Sequence, residues 1–427
     1  MRVLVVGGGS GGHITPAVAT IRELLELKPR AKIEFWTDRK YYKNVVKLTT
    51  LGEGAEEFSE NRKRIRVRKI LSGKFRRYSG WSLADYFKNF SITVKDLIFK
   101  NILGFLGFLA GIVQSFFRLS FPGKEGKFDV IFLKGGFVGL PVGLVARLLR
   151  IPYVIHESDA VPGLANRILM KHARVVATGS SFESPDFENR FKIHGRAEWV
   201  GIPVGEEFKK VGSTRQKSLK KAFGFDSEKP LVIITGGSQG AEHINNVVKG
   251  ILPSLLEFTS VGLVAGRKHF EDLVDLKKYE IWEDAKLKSN FRMWEFNSTM
   301  DELMGAADVV VSRAGATTIA ELAMLRKAVI LIPFEKLPGG HQVKNAEKLE
   351  KQEAAKVIKD ARMVKQPELL LKEIESLIKG KGATKKREGL AEKLGMTAKK
   401  DAAKRLAEIL CVEASSEIQQ VQDEKGK

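Results

Sequence analysis

The first sixteen residues present an apolar run, a glycine cluster and a helix start in immediate succession. Val3–Val6 is suited to a buried strand of a parallel sheet, Gly7–Gly12 follows it directly, and Pro16 suits the first turn of a helix. A glycine loop between a strand and a helix lets backbone N–H groups approach an anion, typically a phosphate. The opening therefore predicts an α/β chain with an anion-binding loop at its first strand–helix turn.

Two interpretations of this loop remain open from its own residues. Gly7, Gly9 and Gly12 have the G-x-G-x-x-G spacing, and Asp38 ends the next predicted strand where a dinucleotide-binding unit places its ribose-binding acid. His13 does not fit that site, but it suits a general base, because the positive end of a helix disfavours the protonated imidazole. A histidine that only hydrogen-bonds the adjacent loop is the plainer alternative.

The strand–glycine–helix pattern recurs along the chain. Lys134–Pro141 is a second glycine turn after an apolar strand, and Gly236–Ala241 is a third, placed between the strand Pro230–Thr235 and a helix. Strands and helices alternate around each of these loops. The sequence therefore predicts two doubly wound domains, with ligands at the carboxyl ends of their strands.

The segment Ser312–Glu321 also runs from a strand into a helix. We predict that Thr317 or Thr318 caps this helix and that Glu321, one turn in, accepts hydrogen bonds from a ribose diol. The alternative for Glu321 is a capping box that satisfies backbone N–H groups at the helix start. Gly236–Ala241 suits a diphosphate, although a lone glycine loop is often only a tight turn.

The charge of the chain requires an anionic partner. The 427 residues carry a net charge of +21, and basic residues concentrate in 62–77, followed by the apolar segment Leu97–Phe121. A basic stretch beside an apolar one is typical of a membrane-surface protein, although Leu97–Phe121 is equally suited to a buried core helix. No nucleic-acid-binding motif is recognisable, so nucleic acid is not predicted as a partner.

Disulfides, secretion and metal binding are not predicted. Cys411 is the single cysteine, which fits a reducing compartment, and the N-terminus enters a strand without a signal-peptide pattern. The run His156-Glu-Ser-Asp159 contains metal-ligating residue types but lacks a partner pair at helical spacing. We predict neither a metal nor a cofactor.

Four motifs in the correct order give a specific resemblance. The stretches Gly7–Pro16, His156–Arg167, Gly236–Ala241 and Ser312–Glu321 resemble those of the MurG family. Members of this family are UDP-N-acetylglucosamine:undecaprenyl-diphospho-muramoylpentapeptide N-acetylglucosaminyltransferases of peptidoglycan synthesis. The resemblance implies the GT-B fold, in which two doubly wound Rossmann-like domains face a cleft, and an inverting transfer that converts lipid I to lipid II.

The resemblance also assigns residues. His13 falls at the family's proposed base. It implies donor-binding roles for residues of the second domain: Gly237, Ser238, Gln239, Phe296, Asn297, Ala316, Glu321, His341 and Gln342. It implies acceptor-binding roles for residues of the first: Gly11, Gly12, Gly135, Gly136, Glu157, Asp159 and Asn166. The implied location is peripheral, on the cytoplasmic face of the cell membrane, at an anionic surface.

Three departures from the family pattern bear on these roles. The hinge arginine expected near the diphosphate is replaced by Gly205, the usual glutamine pair is His341-Gln342, and the motif H-E-Q-N is H-E-S-D at 156–159. Two alternatives therefore stay open: another GT-B glycolipid glycosyltransferase, such as a diglyceride glucosyltransferase, and a non-catalytic nucleotide-sugar-binding membrane scaffold. The predicted parts are an acceptor domain (1–202), a donor domain (203–379) and a charged helical extension with a frayed tail (380–427).

Overall fold

The computed structural model describes residues 1–50, 64–74, 90–181, 187–237, 240–267, 269–274, 289–335 and 340–425. The chain divides into two compact units. Unit 1 comprises Met1–Gly205 and Lys399–Lys427, and unit 2 comprises Glu206–Ala398. The first boundary lies three residues after the predicted one, and the second differs more, because unit 2 extends to Ala398 and the residues after it rejoin unit 1.

Unit 1 is built on a seven-stranded sheet in the order β3-β2-β1-β4-β5-β6-β7, with every neighbouring pair parallel. The predicted first strand is confirmed, and all its residues are buried, as expected for a strand covered on both faces. The strands are β1 (Arg2–Val6), β2 (Lys32–Thr37), β3 (Ile65–Lys69), β4 (Val130–Leu133), β5 (Tyr153–Glu157), β6 (Val175–Thr178) and β7 (Arg196–Trp199). The α-helices in the described part of Met1–Gly205 are α1 (Gly11–Leu27), α2 (Tyr42–Thr50), α3 (Phe90–Ser120), α4 (Gly139–Leu148), α5 (Leu164–Leu169) and α6 (Phe187–Phe191).

Unit 2 repeats the plan with a six-stranded parallel sheet in the order β10-β9-β8-β11-β12-β13. Its strands are β8 (Leu231–Thr235), β9 (Ser260–Val264), β10 (Phe291–Trp294), β11 (Val309–Ser312), β12 (Ala328–Leu331) and β13 (Lys356–Val357). The helices among its described residues are α7 (Ser213–Ala222), α8 (Glu242–Leu256), α9 (Glu271–Val274), α10 (Met300–Ala306), α11 (Ala316–Leu325), α12 (His341–Lys351), α13 (Asp360–Lys365), α14 (Glu368–Ile378) and α15 (Ala383–Met396). The prediction of two doubly wound domains is confirmed.

Each sheet has one point where the strand order reverses. In unit 1 the chain adds β2 and β3 on one side of β1 and then places β4 on the other side, and in unit 2 it does the same around β8 and β11. Ligands of open α/β sheets bind in the crevice at such a switch point, beyond the carboxyl ends of the strands. The three glycine turns and the loop that begins α11 lie there, since they follow β1, β4, β8 and β11.

The last helix, α16 (Ala402–Lys425), packs on unit 1. Leu406 and Leu410 are fully buried and share a core cluster with Ile21 of α1. Ion pairs add to this contact, because Arg405 binds Glu198 with nitrogen–oxygen distances of 2.5 and 3.1 Å. The prediction of a frayed tail from Glu413 is wrong for the backbone, because α16 continues to Lys425. Helix α15, predicted as part of the extension, belongs to unit 2.

Helix α3 is held to unit 1 by a glycine stripe. Gly104, Gly107 and Gly111 lie on one face, and a Cβ at these positions would come within 2.9, 3.2 and 2.3 Å of carbonyl oxygens in 71–74. Gln114 on the same side accepts a hydrogen bond from the Leu71 N–H at 2.7 Å. The opposite face is apolar and exposed, and comprises Phe99, Ile102, Leu103, Phe105, Leu106, Leu109, Val113, Phe116 and Phe117.

Candidate active site

The loop after β1 is shaped by Asp38. One carboxylate oxygen accepts the Gly9 N–H at 2.7 Å, and the other accepts those of Lys40 and Tyr41 at 2.9 and 3.2 Å. A Cβ at Gly8 would lie 2.5 Å from the first of these oxygens, so only glycine permits this approach. Because both oxygens hold the backbone, the geometry argues against a ribose-binding Asp38 and hence against a dinucleotide site.

His13 lies in the first turn of α1, after Gly11 and Gly12, and is half-buried. Its Nδ1 is 2.7 Å from the Gly8 carbonyl oxygen, which makes Nδ1 the protonated nitrogen of the neutral ring. Nε2 makes no hydrogen bond to any residue that the structure describes. Burial, followed by the nearby Lys134 ammonium, lowers the pKa of His13 below its usual value. The ring is thus a neutral base with one fixed and one available nitrogen.

The second glycine turn of unit 1 lies against this histidine. Gly135 and Gly136 follow β4 with φ values of +96° and +79°. A Cβ at Gly136 would come within 2.8 Å of the His13 ring, and one at Gly135 within 2.9 Å of the Asn166 amide. The structure therefore brings the predicted base together with both glycines and Asn166 at one edge of the sheet.

Lys134 is the unexpected residue of this edge. Its side chain is 1% exposed, and its Nζ donates a 2.6 Å hydrogen bond to the Ser158 hydroxyl. Burial lowers the pKa of Lys134 to about 8, although Glu157 and Asp159 act in the opposite direction. The sequence contains one indication of this environment, because Lys134 directly follows an apolar strand. Lys134 was nevertheless predicted only as part of a glycine turn.

Glu157 builds the loop that follows β5. Its carboxylate accepts hydrogen bonds from the N–H groups of Asp159 and Gly163 at 3.0 and 2.9 Å, and from the Asn166 amide at 2.8 Å. His156 is fully buried and its Nε2 lies 2.8 Å from the Gly201 carbonyl oxygen. Within the described ranges no cluster of three or more potential metal ligands is found. Glu157 thus shapes the surface on which Asp159 and Asn166 lie.

In unit 2, the loop after β8 leaves space for a ligand. Gly237 has a φ of +75°, and a Cβ there would meet no atom of the described residues within 4 Å, whereas Gly240 packs closely on the Ala265 carbonyl. Helix α8 begins directly after this loop without a side-chain cap. Ser238 and Gln239, predicted at the diphosphate, lie outside the described residues. The described part of the loop has the open geometry that an anion requires.

Glu321 projects from α11, which follows the loop after β11. The helix begins at Ala316 with Gly315 as its N-cap and no capping side chain, so the predicted cap by Thr317 or Thr318 is wrong. Glu321 lies beyond the first turn, where a capping box does not reach, and its carboxyl makes no hydrogen bond to another described residue. Burial, together with the charges of Glu207 and Asp301, raises its pKa to about 8.

The remaining predicted donor residues lie after β10 and in the first turn of α12. Phe296 is 50% exposed and the Arg267 guanidinium lies 5.2 Å from its ring centroid, while the Asn297 side chain accepts the Thr299 N–H at 2.7 Å. Gln342, in the first turn of α12, accepts the Phe334 N–H at 2.9 Å. His341 is half-buried, and its Nδ1 is buried without a hydrogen bond to the rest of the described chain.

A second ionisable cluster at the switch point of unit 2 was not predicted. His243 Nδ1 lies 2.6 Å from one carboxylate oxygen of Asp360, and the Arg313 guanidinium lies 2.5 Å from the other. These residues are separated by up to 117 positions in the chain, and no local pattern indicates that they meet.

Comparisons with known proteins identify the class to which this fold and site belong. The N-terminal domain of glycosyltransferase family 28 matches residues 3–178, and its C-terminal domain matches residues 231–406. The crystal structure of Acinetobacter baumannii MurG superposes with a TM-score of 0.61 at 23% identity, covering 96% of this chain and 98% of that one. The chain is therefore a glycosyltransferase of the GT-B fold, as predicted.

Sequence relatives narrow the class to a family. A Bacillus thuringiensis protein, "UDP-N-acetylglucosamine--N-acetylmuramyl-(pentapeptide) pyrophosphoryl-undecaprenol N-acetylglucosamine transferase 3", is 32% identical over 84% of this chain and 86% of its own length. A Thermoanaerobacter protein with the same name, without the number, is 30% identical over 96% of this chain and 99% of its own length. The chain belongs to this family, the MurG glycosyltransferases.

Proposed function

We propose that the protein transfers N-acetylglucosamine from UDP-N-acetylglucosamine to the muramoyl 4-hydroxyl of undecaprenyl-diphospho-muramoylpentapeptide. The observation that carries the proposal is the geometry of His13, a neutral imidazole with Nδ1 fixed by Gly8 and Nε2 available at a switch point. Relatives at 30–32% identity are named for this transfer. The acceptor-side residues of unit 1 and the donor-side residues of unit 2 divide the two substrates between the units.

In the proposed reaction, His13 Nε2 takes the proton of the 4-hydroxyl as the oxygen attacks the anomeric carbon. The bond from that carbon to the β-phosphate oxygen breaks, and its electron pair leaves with UDP. Attack from the face opposite the leaving group inverts the anomeric centre and gives a β-1,4 linkage. General-base catalysis of this kind requires a base that is unprotonated at neutral pH, which the lowered pKa of His13 supplies.

The donor side uses the open loop at Gly237 for the diphosphate and Glu321 for the ribose. When ionised, the Glu321 carboxylate accepts hydrogen bonds from both hydroxyls of a diol. No hydrogen bond to another described residue competes for it. Exposed Phe296 provides an apolar surface for the uracil, beside Asn297. Gln342 and the Ala316 backbone contribute to the sugar site, and His341 adjoins them.

An assay with competing acceptors tests the proposal. Purified protein is given radiolabelled UDP-N-acetylglucosamine with a lipid I analogue or with diacylglycerol in the same micelles. We expect label in the lipid-linked muramoyl product alone. Label in diacylglycerol would favour the glycolipid-glucosyltransferase alternative, and donor binding without turnover would favour the scaffold.

Lys134 gives the proposal a pH-dependent test. Its ammonium lowers the pKa of His13, while Glu157 and Asp38 act in the opposite direction. Removing this positive charge raises the pKa of His13, so protonation should abolish the base at a higher pH than in the wild type. We expect Lys134→Met to move the acid limb of the kcat/KM profile to higher pH, and Lys134→Arg to leave it near the wild-type position. A Met variant whose acid limb stays in place would contradict this role.

We further propose that unit 1 attaches peripherally to the cytoplasmic face of the cell membrane through the exposed face of α3. By length and composition Phe99–Ser120 is also able to span a bilayer. However, its glycine face packs along 71–74, and Ser115 and Leu119 are buried in unit 1. Spanning would pull these packing partners into hydrocarbon, so the helix is better suited to lie in the interface plane. Exposed Arg66, Lys69 and Lys74 suit anionic lipid.

Substitution of the apolar face tests this attachment. Because burial of a large apolar side chain contributes about 1.5–3 kcal/mol, we expect Phe105→Glu with Leu109→Glu to lower binding to phosphatidylglycerol-containing vesicles by about a hundredfold or more. Leu148→Glu is the matched control, since Leu148 is also an exposed apolar residue of unit 1. Flotation with vesicles measures the effect. Equal binding of the double variant and the control would remove α3 from the attachment.

A further inference from the structure

We propose that His243 is a further donor-binding residue, which contacts the diphosphate of the UDP-sugar at the switch point of unit 2. The inference deepens the proposed function and rests on it for the identity of the donor. His243 is the second residue of α8, immediately after the glycine loop that follows β8. Its position therefore places it at the same edge of the sheet as Gly237.

The orientation of His243 is fixed from one side. Its Nδ1 lies 2.6 Å from Asp360 Oδ2, and the Asp360 side chain is only 7% exposed. A carboxylate that binds one ring nitrogen sets the tautomer and the direction of the other. Nε2 makes no hydrogen bond to another residue that the structure describes, and the side chain is 41% exposed. Nδ1 of the imidazole is thus held by the buried Asp360 carboxylate, and Nε2 is available to a ligand.

The neighbouring guanidinium is already engaged. Arg313 follows β11, and its Nη1 lies 2.5 Å from Asp360 Oδ1 and 3.2 Å from the carbonyl oxygen of Ile332, which follows β12. Its Cζ also lies 5.2 Å from the Phe334 ring centroid. Arg313 therefore orients Asp360 through Nη1. Its side chain is 11% exposed, whereas that of His243 is 41% exposed, so His243 is the more accessible member of the cluster.

The chemistry of this nitrogen matches a diphosphate. When protonated, the imidazole donates Nε2–H to a non-bridging oxygen of the β-phosphate, and a charge-assisted hydrogen bond of this kind is stronger than a neutral one. The N-cap residue of α8 is Ala241, whose side chain cannot cap the first turn, so the N–H groups of that turn favour the same anion. As the bond between the anomeric carbon and the β-phosphate oxygen breaks, the charge that develops on UDP is stabilised by this contact.

Uridine lacks the diphosphate, so a comparison of UDP with uridine measures the contribution of the diphosphate to binding. Calorimetric titration of the detergent-solubilised full chain should give a Kd for UDP that rises about tenfold or more in His243→Ala, as expected for one lost charged hydrogen bond, while the uridine Kd is unchanged. Asp360 acts as a positioning residue, so Asp360→Asn should cause a smaller loss that is again selective for UDP. His194→Ala, a histidine substitution in unit 1, should leave both Kd values unchanged.

A second variant keeps the test decisive if alanine disturbs the fold. His243→Gln retains a polar side chain of similar length, and it should also lose UDP affinity selectively. The inference is overturned if UDP affinity is unchanged in both His243 variants, or if UDP and uridine weaken equally in both. If the wild type binds UDP through His243 but does not glycosylate the lipid I analogue, the proposed reaction fails and the role of His243 stands.

Discussion

Replacing His13 by alanine should lower turnover with a lipid I analogue by roughly 10²- to 10⁴-fold, the range expected for loss of a general base. The structure gives the reason, because Gly8 holds Nδ1 and leaves Nε2 as an acceptor on a ring that burial and Lys134 keep neutral. UDP affinity should be unchanged, since the proposed donor residues belong to unit 2. Single-turnover kinetics with saturating donor measure the chemical step directly.

The matched control for this variant is Thr15→Ala, which removes a half-buried polar side chain from the same helix. Among the described residues, the Thr15 hydroxyl hydrogen-bonds only to the Gly11 carbonyl oxygen, at 3.4 Å, so turnover should stay within a few-fold of wild type. If His13→Ala turns over at the wild-type rate, the histidine has no part in the chemistry and serves only to brace the loop.

Above pH 8, where the Glu321 carboxyl is ionised, Glu321→Gln should weaken UDP binding by roughly tenfold to a hundredfold, the loss expected when a charged hydrogen-bond acceptor becomes neutral. The same substitution should make the ligand-free protein more stable at alkaline pH. Burial raises the pKa of Glu321 from 4.5 to about 8. Between these values the unfolded chain releases the proton while the folded protein retains it, so the stability contributed by the protonated group is lost as pH rises through that window.

Chemical denaturation at pH 4 and pH 8, with calorimetric titration of UDP, measures both effects of Glu321→Gln. The variant should match the wild type near pH 4 and exceed it near pH 8 in free energy of unfolding. Glu375→Gln is the control, because Glu375 is exposed and pairs with Lys379 within α14. A variant that binds UDP as tightly as wild type would exclude Glu321 from the ribose site, whatever its stability.

The parts of the fold that could be predicted are those set by local pattern. The apolar run before Gly7 and the glycines after it predict a buried strand and a tight loop, and both are present. The same reasoning located the loop at Gly236 and placed Glu321 near the start of a helix. These features depend on residues within a few positions of one another, which periodicity and glycine spacing describe well.

Features that depend on distant residues were missed. A ribose-binding role for Asp38 stayed open as one alternative, but backbone N–H groups of the first loop and of residues 40 and 41 bind its carboxylate. His243 and Asp360 meet only because α8 and α13 pack side by side, and α16 returns to unit 1 from the far end of the chain. Sequence spacing carries no signal for such contacts. The glycines of α3 were assigned no role from the sequence, whereas they form the face of the helix that packs on residues 71–74.

The most direct measurement of the central claim compares two acceptors that differ in one hydroxyl. Purified protein, UDP-N-acetylglucosamine and a lipid I analogue should yield a lipid-linked disaccharide joined through the muramoyl 4-oxygen, detectable by mass spectrometry and linkage analysis. The 4-deoxy analogue should give no product. Glycosylation of the 4-deoxy analogue, or no transfer to the complete analogue under conditions where UDP binds, would contradict the account.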